Sequence, residues 1–213
     1  MILYNIYKMT TKMPKIIALC GAKRSGKDVL AEHLVKKYNY ERVAFADPLK
    51  LAVKSLFDFN DDQVGIGKDN GKDRKDIVDE NWGITPRSAL QFFGTEIMQE
   101  KIQELLPNIN KNFFANTLKN NIINKMNTNE GQRFVISDLR FMHEYETLFS
   151  IPKIRKHDIV VIRVIRPSNL SNHCADEPHI SEIEYMKIPY DVIITNDDTI
   201  ENYINKFEKI IHL

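Results

Sequence analysis

The run Gly21-Ala22-Lys23-Arg24-Ser25-Gly26-Lys27-Asp28 stands between two segments of opposite periodicity. Before it comes Lys15-Ile16-Ile17-Ala18-Leu19-Cys20, an apolar stretch of strand length. After it, Leu30, Ala31, Leu34, Val35 and Tyr38 recur at helical spacing. Strand, glycine-rich turn, helix is the context that separates a working phosphate-binding loop, Gly-x-x-x-x-Gly-Lys, from a chance match. Glycines let backbone N–H groups close around phosphate oxygens, and the helix N-terminus adds positive potential. Lys27 is then placed to reach the β- and γ-phosphates of a nucleotide. The bland alternative, a turn with a solvated lysine, does not explain the flanking strand and helix. The usual motif continues with Ser or Thr, whose hydroxyl binds magnesium. Asp28 stands there instead, and a carboxylate also holds Mg²⁺, directly or through water, because hard cations prefer oxygen.

The same patterns continue along the chain. Apolar runs at Ile16–Cys20, Val43–Ala46, Phe134–Ser137, Ile159–Ile165 and Val192–Thr195 are expected to be buried strands. They are continuous rather than alternating, as parallel strands covered on both faces should be. Thr85-Pro86 reads as a helix start, with Thr85 as N-cap, and this helix is expected to run to Leu106 before Pro107. A second spans about Phe113 to Met126, with Ala115, Leu118, Ile122 and Met126 on one side, and a third runs from Thr199 to Ile211. Strands alternating with helices imply an α/β fold with a five-stranded parallel sheet. Phe59–Asn81 and Pro167–Pro178 are polar and read as loops or lids that exclude water from a reaction.

Length and charge narrow the function. The chain has 213 residues, enough for one domain with a substantial core. Its 30 basic and 29 acidic residues leave a net charge of +1, so there is no electrostatic reason to expect a nucleic-acid polymer as partner. Cys20 and Cys174 offer no disulfide framework and suit a reducing cytosol. No apolar run approaches the ~20 residues of a membrane span. The first 14 residues read as an extension ahead of a domain covering 15–213, without a signal-peptide pattern.

Several side chains gather where the chemistry of phosphate would need them. Asp138 and Arg140 lie at the carboxyl end of the third strand, the position of a magnesium-linked carboxylate or a phosphate clamp in nucleotide enzymes. An Asp capping the next helix, with a surface Arg, is the plain alternative. Lys23 and Arg24 add two cations within the loop. Lys50 begins a helix after the second strand, where lysine and helix dipole both favour an anion. Arg87 and Gln91 are one helical turn apart and share a face, suited to a phosphate and a base edge, or simply solvated. Trp82, the only tryptophan, can stack on a base or pack against its own domain. Arg166 stands at the carboxyl edge of the fourth strand, while Arg163 is read as facing out. His173, Cys174 and His179 make a poor zinc site, three ligands without a fourth.

In order and spacing these pieces resemble the deoxynucleoside monophosphate kinases of phages and large DNA viruses, within the P-loop kinase superfamily. The pieces are Gly-Ala-Lys-Arg-Ser-Gly-Lys-Asp at 21–28, Asp-Pro-Leu-Lys at 47–50, Pro-Arg-Ser-Ala-Leu-Gln-Phe-Phe-Gly-Thr-Glu at 86–96, and Ser-Asp-Leu-Arg at 137–140 with Glu144. Arg-Pro at 166–167, His-Ile-Ser-Glu at 179–182 and Asp-Val-Ile-Ile-Thr-Asn-Asp at 191–197 complete the match. Aspartate after the loop lysine is usual in that family. The resemblance implies a three-layer fold with a helical monophosphate-binding insertion at about 47–130 and a lid at about 166–182. It implies transfer of the γ-phosphoryl group of ATP, with Mg²⁺, to a deoxynucleoside 5′-monophosphate. Arg24, Ser25, Gly26, Lys27, Asp28, Val29 and Arg166 would carry ATP. Lys23, Leu49, Lys50, Arg74, Trp82, Arg87, Gln91, Asp138, Arg140 and Glu144 would line the monophosphate site. Lys23, Lys27, Asp138 and Arg140 would serve the reaction itself, and Asp28 the magnesium. The family is often dimeric, so a homodimer is open, and a viral origin would place the enzyme in host cytoplasm or a virion factory.

Two other readings compete. Dephospho-coenzyme A kinases share the superfamily and a similar final Asp-Val-Ile-x-x-Asn stretch, but the Pro86–Glu96 block argues against them. A guanine-nucleotide switch would carry Asn-Lys-x-Asp, and the Asn-Lys pairs at 110, 124 and 205 lack that aspartate.

Overall fold

The computed structural model describes residues 13–66, 74–167 and 181–211. Strand β1 (Ile16–Cys20) is the centre of the architecture, and all five of its side chains are fully buried. Its neighbours are β3 (Arg133–Leu139) on one side and β4 (Ile159–Ile165) on the other, with Ile16 opposite both Phe134 and Ile159. The edges are short: β2 (Tyr40–Val43) pairs with β3, and β5 (Val192–Thr195) with β4. The sheet is parallel throughout, in the order β2-β3-β1-β4-β5. The chain therefore turns first to one side of β1 and later to the other. A crevice at such a switch point, outside the carboxyl ends of the strands, is where ligands bind in open α/β sheets.

By its contacts the chain divides into two compact units, one formed by residues up to Ala44 with those from Asn121 onward, the other by Phe45–Asn120. In the first unit, helix α1 (Lys27–Tyr38) buries Leu30, Ala31 and Leu34. The closing helix α9 (Ile200–Ile211) buries Tyr203, Phe207 and Ile211. These six side chains share a core with Ile17, Leu19, Val135, Ile162, Val164 and Ile194 of the sheet. Each large aliphatic group buried there contributes ~1.5–3 kcal/mol relative to exposure.

In the second unit, α2 (Asp47–Phe57), the single-turn α3 (Asp61–Val64) and α4 (Pro86–Gln91) surround Val53, Phe59, Val64 and Ala89. Phe57 stacks on Phe59 at 5.3 Å between ring centres and meets Trp82 and Phe93 edge-on. Thr85 caps α4 as its sequence implies, its Oγ1 accepting from the Ser88 N–H at 3.1 Å. Beyond α4 the helix widens to π geometry over Phe92–Lys101 and closes with α5 (Ile102–Leu105). Gly94 lies in the wide segment, and a Cβ there would stand 2.8 Å from Leu49 Cδ2.

The remaining helices are α6 (Phe113–Thr128), α7 (Met142–Leu148) and α8 (Ser181–Glu184). Ala115, Leu118, Ile122 and Met126 of α6 are all buried, matching their spacing.

Three expectations need correction. The second strand is Tyr40–Val43, not Val43–Ala46. Ala44 and Phe45 are buried, but they have already left the ladder for the turn into α2, so apolar character marked burial rather than extended backbone. An edge strand tolerates the polar Glu41 and Arg42 that concealed it. The stretch Phe59–Asn81 is not all loop: Asn60 and Gln63 form a reciprocal capping box that holds α3. Residues 67–73 of that stretch lie outside the described residues. Arg163 does not simply face out. Its Nη2 donates to the carbonyls of Tyr185, Met186 and Ile188 at 3.3, 3.0 and 2.6 Å, and its guanidinium lies over the Tyr190 ring. Arg163 thereby ties β4 to the turn that leads into β5. The expected lid falls mostly on residues 168–180, with His173, Cys174 and His179, outside the described residues, as do residues 1–12 of the expected extension.

Candidate active site

Among the described residues the buried polar or charged side chains are Ser25, Lys27, Ser137 and Glu144. All four come from the loop after β1, the carboxyl end of β3 and the first turn of α7. Burying such groups is costly unless they are hydrogen-bonded, so their collection at one end of one sheet is a specific expense of this fold.

The loop itself is shaped by two glycines. Gly21 has φ +146°, and a Cβ on it would lie 2.3 Å from the Val164 carbonyl oxygen of β4. Gly26, at the N-cap of α1, has φ +107°. Neither position accepts an L side chain without strain. Arg24 takes the left-handed region as a non-glycine residue, at φ +61°. The Lys27 ammonium is folded back on its own loop, donating to the carbonyls of Gly21 (2.8 Å) and Ala22 (2.7 Å), with Ser25 Oγ at 3.5 Å. Lys23 is half-buried, Arg24 exposed and Val29 half-buried.

Asp28 presents an exposed carboxylate at the helix start, and Arg42 of β2 reaches it, Nη2 to Oδ1 at 3.3 Å. The same guanidinium donates from Nε to Ser137 Oγ at 3.1 Å. Arg42 therefore links the loop helix to the end of β3, a residue that sequence reasoning missed. An arginine within a four-residue edge strand carries no signal beyond its charge.

Asp138, Arg140 and Glu144 are brought together at the β3–α7 junction. Glu144 Oε2 accepts from the backbone N–H groups of Arg140 (2.9 Å) and Phe141 (3.0 Å), so Glu144 reaches back to hold the start of the helix. Burial, and then the neighbouring Asp138 charge, push the Glu144 carboxyl up to about 8, against those two hydrogen bonds and the Arg140 charge. Arg166 is exposed just beyond β4.

The sequence candidates of the second unit have partners of their own. Lys50 Nζ donates to the Gly65 carbonyl at 3.0 Å. Arg87 makes a two-pronged pair with Asp76, Nη2 to Oδ2 at 3.0 Å, and its backbone N–H bonds the Lys75 carbonyl. Trp82 is half exposed while its Nε1 donates to the Phe57 carbonyl at 2.8 Å. Leu49 packs in the unit's core, and Gln91 and Arg74 are exposed.

The sequence profile of the family described as Deoxynucleotide monophosphate kinase matches residues 60–207. The chain belongs to that family. A putative deoxynucleotide monophosphate kinase of Acanthamoeba polyphaga mimivirus is 32% identical over 193 residues, covering 90% of this chain and 93% of its own. The deoxynucleotide monophosphate kinase of Escherichia phage RB69 is 24% identical, covering 92% and 99%. Among solved structures, dephospho-CoA kinase from Campylobacter jejuni is 15% identical, covers 93% of this chain and 96% of its own, and has a TM-score of 0.43. As a member of the deoxynucleotide monophosphate kinase family the chain is a phosphotransferase acting on nucleotides. Among its described residues no helix is long and apolar enough to cross a membrane, and no cluster of three or more His, Cys, Asp or Glu could hold a metal ion by itself.

Proposed function

We propose that this member of the deoxynucleotide monophosphate kinase family transfers the γ-phosphoryl group of Mg·ATP to a deoxynucleoside 5′-monophosphate, giving ADP and the diphosphate. The observation that carries the reading is the concentration of buried polar groups at the loop and the β3 end, Lys27 among them. A lysine buried against its own loop's carbonyls is poised to exchange them for phosphate oxygens that pass over the same loop.

The acceptor is a phosphate oxygen already ionised at neutral pH, so no strong general base is required. The obstacle is mutual repulsion of two anionic phosphates that must approach in line, and the protein's work is positioning and neutralisation. Lys27 and the N–H groups of residues 24–29 hold the ATP phosphates, with Arg166 beside them. Lys23 and Arg140 orient and neutralise the reacting phosphates, and Asp138 serves as a magnesium-linked carboxylate or a substrate contact. Glu144, placed in the monophosphate site by the resemblance, supports Arg140 through its backbone N–H. Lys50, Arg74, Arg87 and Gln91, with Leu49 and Trp82, receive the monophosphate. Together they form part of a monophosphate-binding insertion at about 47–130, with a lid at about 166–182. The residues suit magnesium brought in with the nucleotide: one exposed carboxylate, Asp28, paired with Arg42, and, among the described residues, no cage of acidic ligands. Bound there, Mg²⁺ supplies charge neutralisation of the phosphates.

The deciding assay is ADP release from Mg·ATP with dGMP, dTMP, dCMP, dAMP, their ribonucleotide counterparts and dephospho-coenzyme A. Turnover with one or more deoxynucleotides and much less with ribonucleotides is expected. Turnover with dephospho-coenzyme A alone would replace this reading, and a silent panel would remove it.

A further inference from the structure

Two carbonyls of the phosphate loop are held by side chains from the far end of the chain. The Asn196 side-chain amide donates to the Ser25 carbonyl at 2.9 Å, and the Tyr203 hydroxyl donates to the Gly26 carbonyl at 3.2 Å. Asn196 follows β5 and is anchored by its own N–H on the Ile165 carbonyl, at 2.7 Å. Tyr203 is fully buried in α9, and burial raises its phenol above its ordinary range, keeping it a neutral donor.

These contacts bear on function through the geometry of the peptide unit. A trans peptide is planar, with C=O and N–H pointing in opposite directions, and there is no cis bond in the described chain. Fixing the Ser25 carbonyl therefore aims the Gly26 N–H the opposite way, and fixing the Gly26 carbonyl does the same for the Lys27 N–H. Those two N–H groups are the ones a phosphate between loop and helix would meet first. Gly26 fits the arrangement from the other side: a Cβ there would stand 2.5 Å from Asn196 Nδ2 and 3.2 Å from Tyr203 Cε1. The glycine serves the close approach of its two clamps as well as its positive φ.

We propose that Asn196 and Tyr203 are positioning residues for nucleotide binding, setting the direction of the Gly26 and Lys27 N–H groups in advance of the phosphates. The inference rests on the reading of this loop as the ATP site. It makes the β5–α9 connection part of the nucleotide site although neither clamp touches the phosphates.

The test is calorimetric titration of the full chain with Mg·ADP and Mg·ATP, well below the unfolding temperature. Asn196→Leu keeps the branched shape, at a larger volume, while removing donor and polarity, and Tyr203→Phe removes one oxygen and is the safer variant to fold. Leaving a buried carbonyl without its donor predicts affinity lower by about tenfold to a hundredfold for Asn196→Leu. For Tyr203→Phe, which leaves the Gly26 carbonyl with the Leu30 N–H at 3.4 Å as its remaining donor, the loss should be smaller, about threefold to tenfold. Affinities equal to wild type in both folded variants, with only the melting temperature lowered, would overturn the proposal and leave the ATP reading standing. A wild-type chain that binds neither nucleotide would overturn both.

Discussion

Glu144 makes the pH dependence of stability a direct test of how deeply the β3–α7 junction is buried. Its carboxyl is raised to about 8 in the folded chain against an ordinary 4.5, chiefly by burial and then by Asp138. Between those values the folded state holds a proton that the unfolded state has released. Stability must then fall as pH rises, by ~1.4 kcal/mol per pH unit from this one group, and become flat below 4.5 and above 8. Over the whole window the ceiling is ~5 kcal/mol, comparable to the entire net stability of a small domain. Glu144→Gln removes the titration while retaining an oxygen that can accept from the Arg140 and Phe141 N–H groups. Urea unfolding of both proteins at pH 5, 6, 7 and 8, at constant ionic strength, isolates the effect, because every other titrating group cancels in the difference. The variant should gain on wild type steadily from pH 5 to 8. Parallel stability curves would refute the burial argument and show a carboxylate that stays ionised at this junction.

Further outcomes follow from the same geometry. Lys27→Ala and Arg140→Ala should each lose about 10²–10³ in turnover while keeping the wild-type circular dichroism, and near-normal turnover in either would remove that residue from its proposed role. Glu208 is drawn the other way from Glu144. Burial alone would raise it, but hydrogen bonds from Tyr38, His33 and Lys37 prevail and lower it to about 2. Its stabilisation is therefore full above about pH 4.5 and disappears as pH falls towards 2, so Glu208→Gln should be less stable at pH 7 and match wild type in urea at pH 2. Thr85→Ala should cost ~1 kcal/mol through loss of the α4 cap, read as a lower urea midpoint. An unchanged midpoint would mean that the cap is replaced by water.

What could be read directly from the chain was local. A phosphate loop lies within eight residues of one strand and one helix, and its glycines, lysine and flanking periodicities are adjacent in sequence. Thr85-Pro86 marks a helix start by the same local logic, and the apolar spacing of Ala115, Leu118, Ile122 and Met126 anticipates one buried helix face. The central strands β1, β3 and β4 were legible because both faces are covered and their runs are nearly all apolar. Only the tertiary structure decided the rest. The edge strand β2 carries Glu41 and Arg42 because half its surroundings are open, so composition pointed past it to Val43–Ala46. Arg42 acquires meaning only when β2 is laid beside β3, bringing one guanidinium to both Asp28 and Ser137. Glu144 is an ordinary helix residue until burial next to Asp138 changes its chemistry. Ser25 and Asn196 are 171 positions apart, and no periodicity reports a bond between them. Hydrophobic period and turn chemistry act over a few residues and are written into the chain. Which polar groups share a buried site depends on strand order, a property of the folded sheet.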